Sequence, residues 1–296
     1  MNRPEPRCFE TTPSPRPAEW REEGREERAC AESFLHPEDS SIHAVPAVAR
    51  RLGDETRGSS GAEHIMKVEI WSDVVCPWCY IGKRRFEQAL AQFEHASDVE
   101  VTWRSFELDP NAPAVRTESH AEHLARKYGV SAAQVEAMDA RLIGEARKEG
   151  LDFHLAESKG GNTFDAHRLI HLAAESGRAG EMKERLMKAY FTEGVAIGER
   201  AELVRLAAEV WLDEAEVKGM LSSDRFANDV RADETRARAF GISGVPFFAI
   251  DERYGVSGAQ PADVLLDVMR QAYVNGQMVV VGGDGADACA DGSCEV

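Results

Sequence analysis

Val68-Glu69-Ile70-Trp71-Ser72-Asp73-Val74-Val75-Cys76-Pro77-Trp78-Cys79-Tyr80 decides how this chain is read. The apolar, β-branched start predicts a strand over Lys67–Ser72. A helix follows, from Tyr80 to about His95, and Cys-x-x-Cys stands at its opening. Strand, dithiol, helix is the order that thiol–disulfide chemistry requires. Cys76 falls at or beside the N-cap, where unpaired backbone N–H groups and the helix dipole favour a thiolate, the attacking species. Pro77 suits the first helical position, because its missing N–H would have no partner there. Cys79 lies one turn on, on the same face, placed to resolve a mixed disulfide. Half of a zinc site is the alternative. No second Cys-x-x-Cys or His-x-His lies nearby, so the redox reading is preferred and no metal ligands are assigned.

Cys76-Pro77-Trp78-Cys79-Tyr80, Phe106-Glu107-Leu108-Asp109-Pro110, Asn162-Thr163-Phe164-Asp165-Ala166-His167 and Gly244-Val245-Pro246-Phe247-Phe248 together resemble the FrnE-like branch of the DsbA family. The resemblance covers about Met66 to Gly276. It implies an α/β thioredoxin fold with a large inserted helical domain and dithiol oxidoreductase activity. It also implies that Pro246 is a cis-proline beside the dithiol, and that Val245 helps to bind the extended backbone of a substrate. The domains expected are a thioredoxin-like domain from 66–112 and 222–277, and an inserted helical domain over 113–221. They are flanked by an N-terminal extension, 1–65, and a flexible C-terminal tail, 278–296.

Bulk properties agree. A chain of 296 residues can bury a large core. A net charge of −17 argues against nonspecific nucleic-acid binding, and no apolar run is long enough to span a membrane. Six cysteines are too few for a disulfide-stapled secreted scaffold. Residues 1–65 are rich in Pro, Arg, Glu and Ser and lack apolar periodicity, so disorder is expected there. Met66 directly precedes the first strand, and 1–65 is read as upstream of the natural start. No secretory signal is visible, which points to the cytoplasm. Cys8 and Cys30 are read as incidental.

The remaining elements follow from pattern. Strands are expected at about Val99–Phe106, Phe247–Ile250 and Tyr254–Ser257. Helices are expected from Ser131 as N-cap to Lys148, from Phe164, over Glu181–Phe191, Arg200–Val210, Glu214–Leu221, Asp224–Phe240 and Pro261–Asn275. The insert is expected to wall the dithiol and form an apolar groove for a peptide.

Several residues keep two readings. Trp78 is an apolar contact for substrate or a local packing residue. Phe164 and His167 start a helix that the resemblance brings near the active site. His167 is a proton acceptor or a hydrogen-bond donor to a thiolate, or a satisfied core histidine. Asp73 is a proton acceptor for the resolving thiol or a cap of the turn. An acid common on the first strand of thioredoxin-fold enzymes is replaced by Ile70, which leaves the proton acceptor for Cys79 unassigned. In the tail, Cys289 and Cys294 form a Cys-x4-Cys. Their Cα atoms can close to about 4.4–6.8 Å, and the chain from Gln277 reaches up to about 40 Å. They are a second redox pair exchanging electrons with Cys76–Cys79, idle thiols, or a weak metal clip.

The function expected is protein thiol–disulfide oxidoreductase or isomerase. The partners are client proteins with thiols or disulfides, with no cofactor beyond glutathione as a redox partner. The competing classes are a glutathione-dependent transferase or isomerase of the kappa or 2-hydroxychromene-2-carboxylate isomerase type, which typically has Ser in place of the first Cys, and a client-binding holdase.

Overall fold

The computed structural model describes residues 42–44 and 65–276. Strand β2, Met66–Ser72, is an interior strand of the sheet. It runs parallel to β3, Val99–Ser105, with Val68 opposite Val101 and Ile70 opposite Trp103. On its other side it pairs antiparallel with β4, Phe247–Ile250, which pairs antiparallel with β5, Tyr254–Ser257. A parallel pair needs a crossover, and helix α1, Pro77–Gln92, supplies it between β2 and β3.

β2 is buried along nearly its whole length because both of its faces are covered. Val68 and Ile70 join Phe248, Ile250 and Val256 under Phe86 and Ala89 of α1 and Leu265 and Met269 of α9, Ala262–Gly276. Phe86 stacks on Phe248 with ring centres 5.7 Å apart. Trp71 points the other way, into a smaller cluster with Ala249, Phe240, Ile242 and Ala237 of helix α8, Ala227–Ala239. Full burial of each large apolar side chain contributes about 1.5–3 kcal/mol relative to exposure.

Between β3 and β4 the described chain is helical: α2 (His120–Tyr128), α3 (Ala132–Lys148), α4 (Phe164–Ala174), α5 (Ala179–Phe191), α6 (Arg200–Glu209) and α7 (Glu214–Leu221) precede α8. Ser119 and Ser131 start α2 and α3 with capping boxes, closed by Glu122 and Gln134. Helices α3 to α7 share one apolar cluster with the dithiol turn. Val74, Cys76, Cys79, Tyr80 and Ile81 pack with Leu142, Phe153, Leu169, Met182, Leu186, Met187 and Phe191. Tyr80 stacks on Phe153 at 5.9 Å, and Phe153 on Phe191 at 4.6 Å.

Three expectations change. Segment 1–65, expected to be disordered, contributes strand β1, Ile42–Ala44, which pairs antiparallel with β5, Ile42 opposite Val256. The edge of β5 offers unpaired backbone groups, and any extended segment can use them. The first helix begins at Pro77, not Tyr80, because Cys76 takes the extended N-cap conformation. The returning helix begins at Ala227, not Asp224, because Phe226 adopts a left-handed φ of 63°. Residues Cys8, Cys30, Cys289 and Cys294 lie outside the described residues.

α8 is tied to the sheet by Asp233, which is 2% exposed. Its Oδ2 accepts the Ser105 backbone N–H at 2.9 Å and meets His171 Nε2 at 3.1 Å, while Oδ1 accepts Arg104 at 3.0 Å. Trp71 Nε1 donates to its carbonyl at 3.0 Å. Burial opposes ionisation, but His171, the Ser105 N–H and Arg104 outweigh it and hold the carboxyl below its usual range. A depressed folded pKa gives stability that is present above the unfolded value and lost as pH falls through the folded value. Asp233→Asn should therefore cost about 2 kcal/mol at neutral pH. The gap to wild type should narrow below about pH 4 in denaturant titrations.

Candidate active site

The turn after β2 sets the site. Cys76 N–H donates to the Asp73 carbonyl at 3.2 Å, and the N–H groups of Cys79 and Tyr80 donate to the Cys76 carbonyl at 3.0 and 3.4 Å. Cys76 is the N-cap of α1 and makes no side-chain cap bond. Both cysteines are free thiols, 2% and 1% exposed. The Cys76 thiol donates to the Val245 carbonyl at 3.6 Å. The Val245–Pro246 bond is cis. Gly82, one turn beyond Cys79, lets Pro246 approach: a Cβ there would lie 2.9 Å from Pro246 Cγ.

Cys79 is inside the apolar cluster. Burial pushes its thiol well above the ordinary range, and the hydrogen bond and charge of Cys76 push the same way. Lys183 and the backbone N–H of Asp73 oppose them.

Asp73 is fully buried. Its Oδ2 accepts the Leu108 N–H at 2.8 Å and its Oδ1 meets His167 Nε2 at 3.3 Å. Burial raises the cost of its charge, yet His167, the Leu108 N–H and Lys183 together hold the carboxyl below its usual range. Both oxygens are engaged and the group stays ionised, which makes it a poor proton acceptor. It clamps the dithiol turn to the 106–110 segment and to α4. His167 is 1% exposed, and its ring is paired with Asp73.

Val245 and Trp78 are half-buried beside the cysteines, and Pro246 is buried. Trp78 Nε1 is buried without a hydrogen-bond partner among the described residues. Phe164 is half-buried, with the Arg231 guanidinium 4.5 Å and that of Arg168 5.8 Å from its ring centre. Arg231 also pairs with Glu107, whose carboxyl burial pushes up to about 7. Among the described residues no group of His, Cys, Asp or Glu could hold a metal ion. No helix is long and apolar enough to cross a membrane among those residues.

Two participants escape a reading by motif. Lys183, on α5, is 1% exposed and fully enclosed near both thiols. Glu184 beside it accepts Tyr80 at 2.5 Å and Lys83 at 2.7 Å and pairs with Arg84 at 2.5 Å, which fixes α5 against α1. The signal for Lys183 was present as spacing: Met182, Leu186, Met187 and Tyr190 form the buried stripe, and Lys183 falls on it.

Comparison with known proteins agrees with this geometry. The DSBA-like thioredoxin domain family matches residues 67–270. The uncharacterised protein YwbO of Bacillus subtilis (strain 168) is 30% identical over 199 residues, which cover 67% of this chain and 92% of YwbO. The crystal structure of a probable DsbA oxidoreductase from Streptomyces coelicolor is 42% identical, with a TM-score of 0.69 over 78% of this chain and 99% of that one. The cytosolic disulfide reductase DsbM of Pseudomonas aeruginosa is 17% identical, with a TM-score of 0.50 over 70% and 99%, and is similar in fold.

The contact of Gly82 with Pro246 gives a test of packing at the site. Gly82→Ala should force Pro246 and its neighbours aside and cost about 1–3 kcal/mol, the usual effect of overpacking. Denaturant unfolding measures the loss, and a stability equal to wild type would mean that the loop yields freely.

Proposed function

Since the chain belongs to the DsbA-like thioredoxin family, we propose that it is a protein thiol–disulfide oxidoreductase or isomerase working through Cys76 and Cys79, of the FrnE-like kind. One observation carries the reading: a free dithiol at a helix N-terminus, with the first sulfur 3.6 Å from the carbonyl of Val245. Thiolate attack is assisted by unpaired N–H groups at a helix start. Cys76 attacks a disulfide of a client protein, one client sulfur leaves as a thiolate, and a mixed disulfide forms at Cys76. Val245 supplies backbone contacts to the client chain, and Trp78, half-buried beside the cysteines, supplies apolar surface. Cys79 then attacks the Cys76 sulfur. The enzyme leaves as a disulfide and the client gains two electrons. Attack by a second client thiol instead gives isomerisation.

The presence of Cys76 where glutathione-dependent relatives typically carry Ser favours dithiol exchange over transferase chemistry. No cofactor is required beyond a thiol such as glutathione to regenerate the dithiol. In a compartment that keeps thiols reduced, such as the cytoplasm, the enzyme acts as reductase or isomerase. Cys289 and Cys294 lie outside the described residues. Their part as a relay rests on spacing in the tail, and a Cys289→Ser, Cys294→Ser double variant with slower reoxidation of Cys76–Cys79 would support it.

A scrambled disulfide protein is the substrate for the test. Wild type should restore native pairings. Cys76→Ser should lose that activity by at least about a hundredfold, the scale of loss when a nucleophile is removed. Cys79→Ser should accumulate a client mixed disulfide at Cys76, seen by mass spectrometry after alkylation. Equal rates for wild type and Cys76→Ser would end this reading in favour of client binding without redox chemistry.

A further inference from the structure

Resolution by Cys79 requires its proton to leave a thiol that is 1% exposed. Ile70 has no basic atom and lies in the apolar layer under α1 and α9. Asp73 is occupied at both oxygens by His167 and the Leu108 N–H. Lys183 is enclosed beside the dithiol, 1% exposed.

Lys183 Nζ donates to the Ser72 carbonyl at 3.4 Å and lies 5.3 Å from the centre of the Trp103 ring. Neither partner is an anion. Glu184 is engaged by Tyr80, Lys83 and Arg84, and among the described residues no carboxylate closes an ion pair on Lys183. A buried charge outside any close ion pair is costly, and the Asp73 carboxylate balances it in part. Charged and titratable groups reach Lys183 from each neighbouring element: Cys79, Cys76 and Lys83 from α1 and Asp73 from the end of β2. His167 of α4 and Tyr190 of α5 face Asp73 behind them. Lys83 is itself neutralised by Glu87 and Glu184.

The placement is at the root of the dithiol turn. The Lys183 ammonium holds the carbonyl of Ser72, and the carbonyl of the next residue, Asp73, receives the Cys76 N–H at 3.2 Å. A charge fixed there acts on the buried thiols through a low-dielectric interior, where it is weakly screened.

We propose that Lys183, anchored on the Ser72 carbonyl at the root of the dithiol turn, is the charge partner of the Cys79 thiolate and sets the rate at which Cys79 resolves the mixed disulfide. This rests on the exchange reading above. Cys79 loses its proton to solvent, its thiolate attacks the Cys76 sulfur, the Cys76–client bond breaks, and the departing client thiolate takes a proton back from solvent. Lys183 touches none of the reacting atoms and is a positioning residue. Burial lowers its pKa to about 8, with Cys79, Asp73 and Cys76 opposing, so it is mostly charged at neutral pH.

The test uses the full chain carrying Cys8→Ser, Cys30→Ser, Cys289→Ser and Cys294→Ser, reduced and mixed with dithiobis(nitrobenzoate). The first nitrothiobenzoate released reports attack by Cys76, and the second reports resolution by Cys79. Lys183→Met should leave the first phase within twofold of the parent. It should slow the second about threefold for each unit that the Cys79 pKa rises, since loss of thiolate is tenfold and the gain in nucleophilicity offsets nearly half of it on the logarithmic scale. The pH profile of the second phase should move upward, which a packing defect alone would not produce. Identical second phases at every pH overturn the role of Lys183. Absence of a first phase in the parent chain overturns the exchange reading itself, and this inference with it. If Lys183→Met and Lys183→Gln both fail to fold, the parent chain decides. Its second phase should flatten near pH 8, where the ammonium loses its proton, and a rise that follows a single thiol ionisation rejects the proposal.

Discussion

Burial of the Asp73 carboxylate is the constraint on which the site depends. An ionised group with no exposure is tolerated only where hydrogen bonds and charge replace water. Here the Leu108 N–H, His167 and the nearby Lys183 supply them. Each comes from a different part of the chain: the segment after β3, α4 and α5. Satisfying one carboxylate thus fixes the dithiol turn relative to three other segments. The carbonyl of the same residue receives the Cys76 N–H, so the position of the first cysteine follows from it.

The helical insert does more than shade the dithiol. Cys79, Tyr80 and Ile81 share one apolar cluster with Met182, Leu186, Met187 and Phe191. The back of the dithiol helix is therefore core of the insert. Its other face, through Phe86, belongs to the layer over the sheet. α1 is held from both sides, and the geometry of its N-terminus is set by two cores at once. In such an interior the effective dielectric is low, and a single cation acts on a thiol several ångströms away more strongly than it would at a surface.

Much of this was readable in advance. Strand β2 and the returning strands β4 and β5 announce themselves by β-branched and aromatic runs beside Gly244 and the 251–253 turn, because local pattern and tertiary burial agree there. Ser131 marks the start of α3 for the same reason: its cap bond to Gln134 is local. What escaped was set by distant partners. Nothing near Asp73 in sequence says that its oxygens go to Leu108 and His167, 35 and 94 residues away. Strand β1 also escaped, since its pairing depends on the edge of β5 and not on any periodicity of its own. Lys183 stands between: its position on the apolar stripe of α5 is visible, but a single polar residue on such a stripe reads as an interruption until its surroundings are known.

The position of Ile70 explains why a lysine on the insert matters. Side chains alternate along β2, so Ile70 turns into the layer with Phe86, Phe248 and Val256, where an acid would be stranded. Charge near Cys79 then has to come from beyond the end of the strand or from outside the sheet. Asp73 supplies it at the strand end, already committed to structural bonds. Lys183 supplies it from the insert, with no carboxylate in close ion-pair contact among the described residues. Control over ionisation of the resolving thiol thereby passes from the sheet to the helical domain. The insert that walls the dithiol also tunes it, and a shift of α5 by one residue along its stripe would change both functions together.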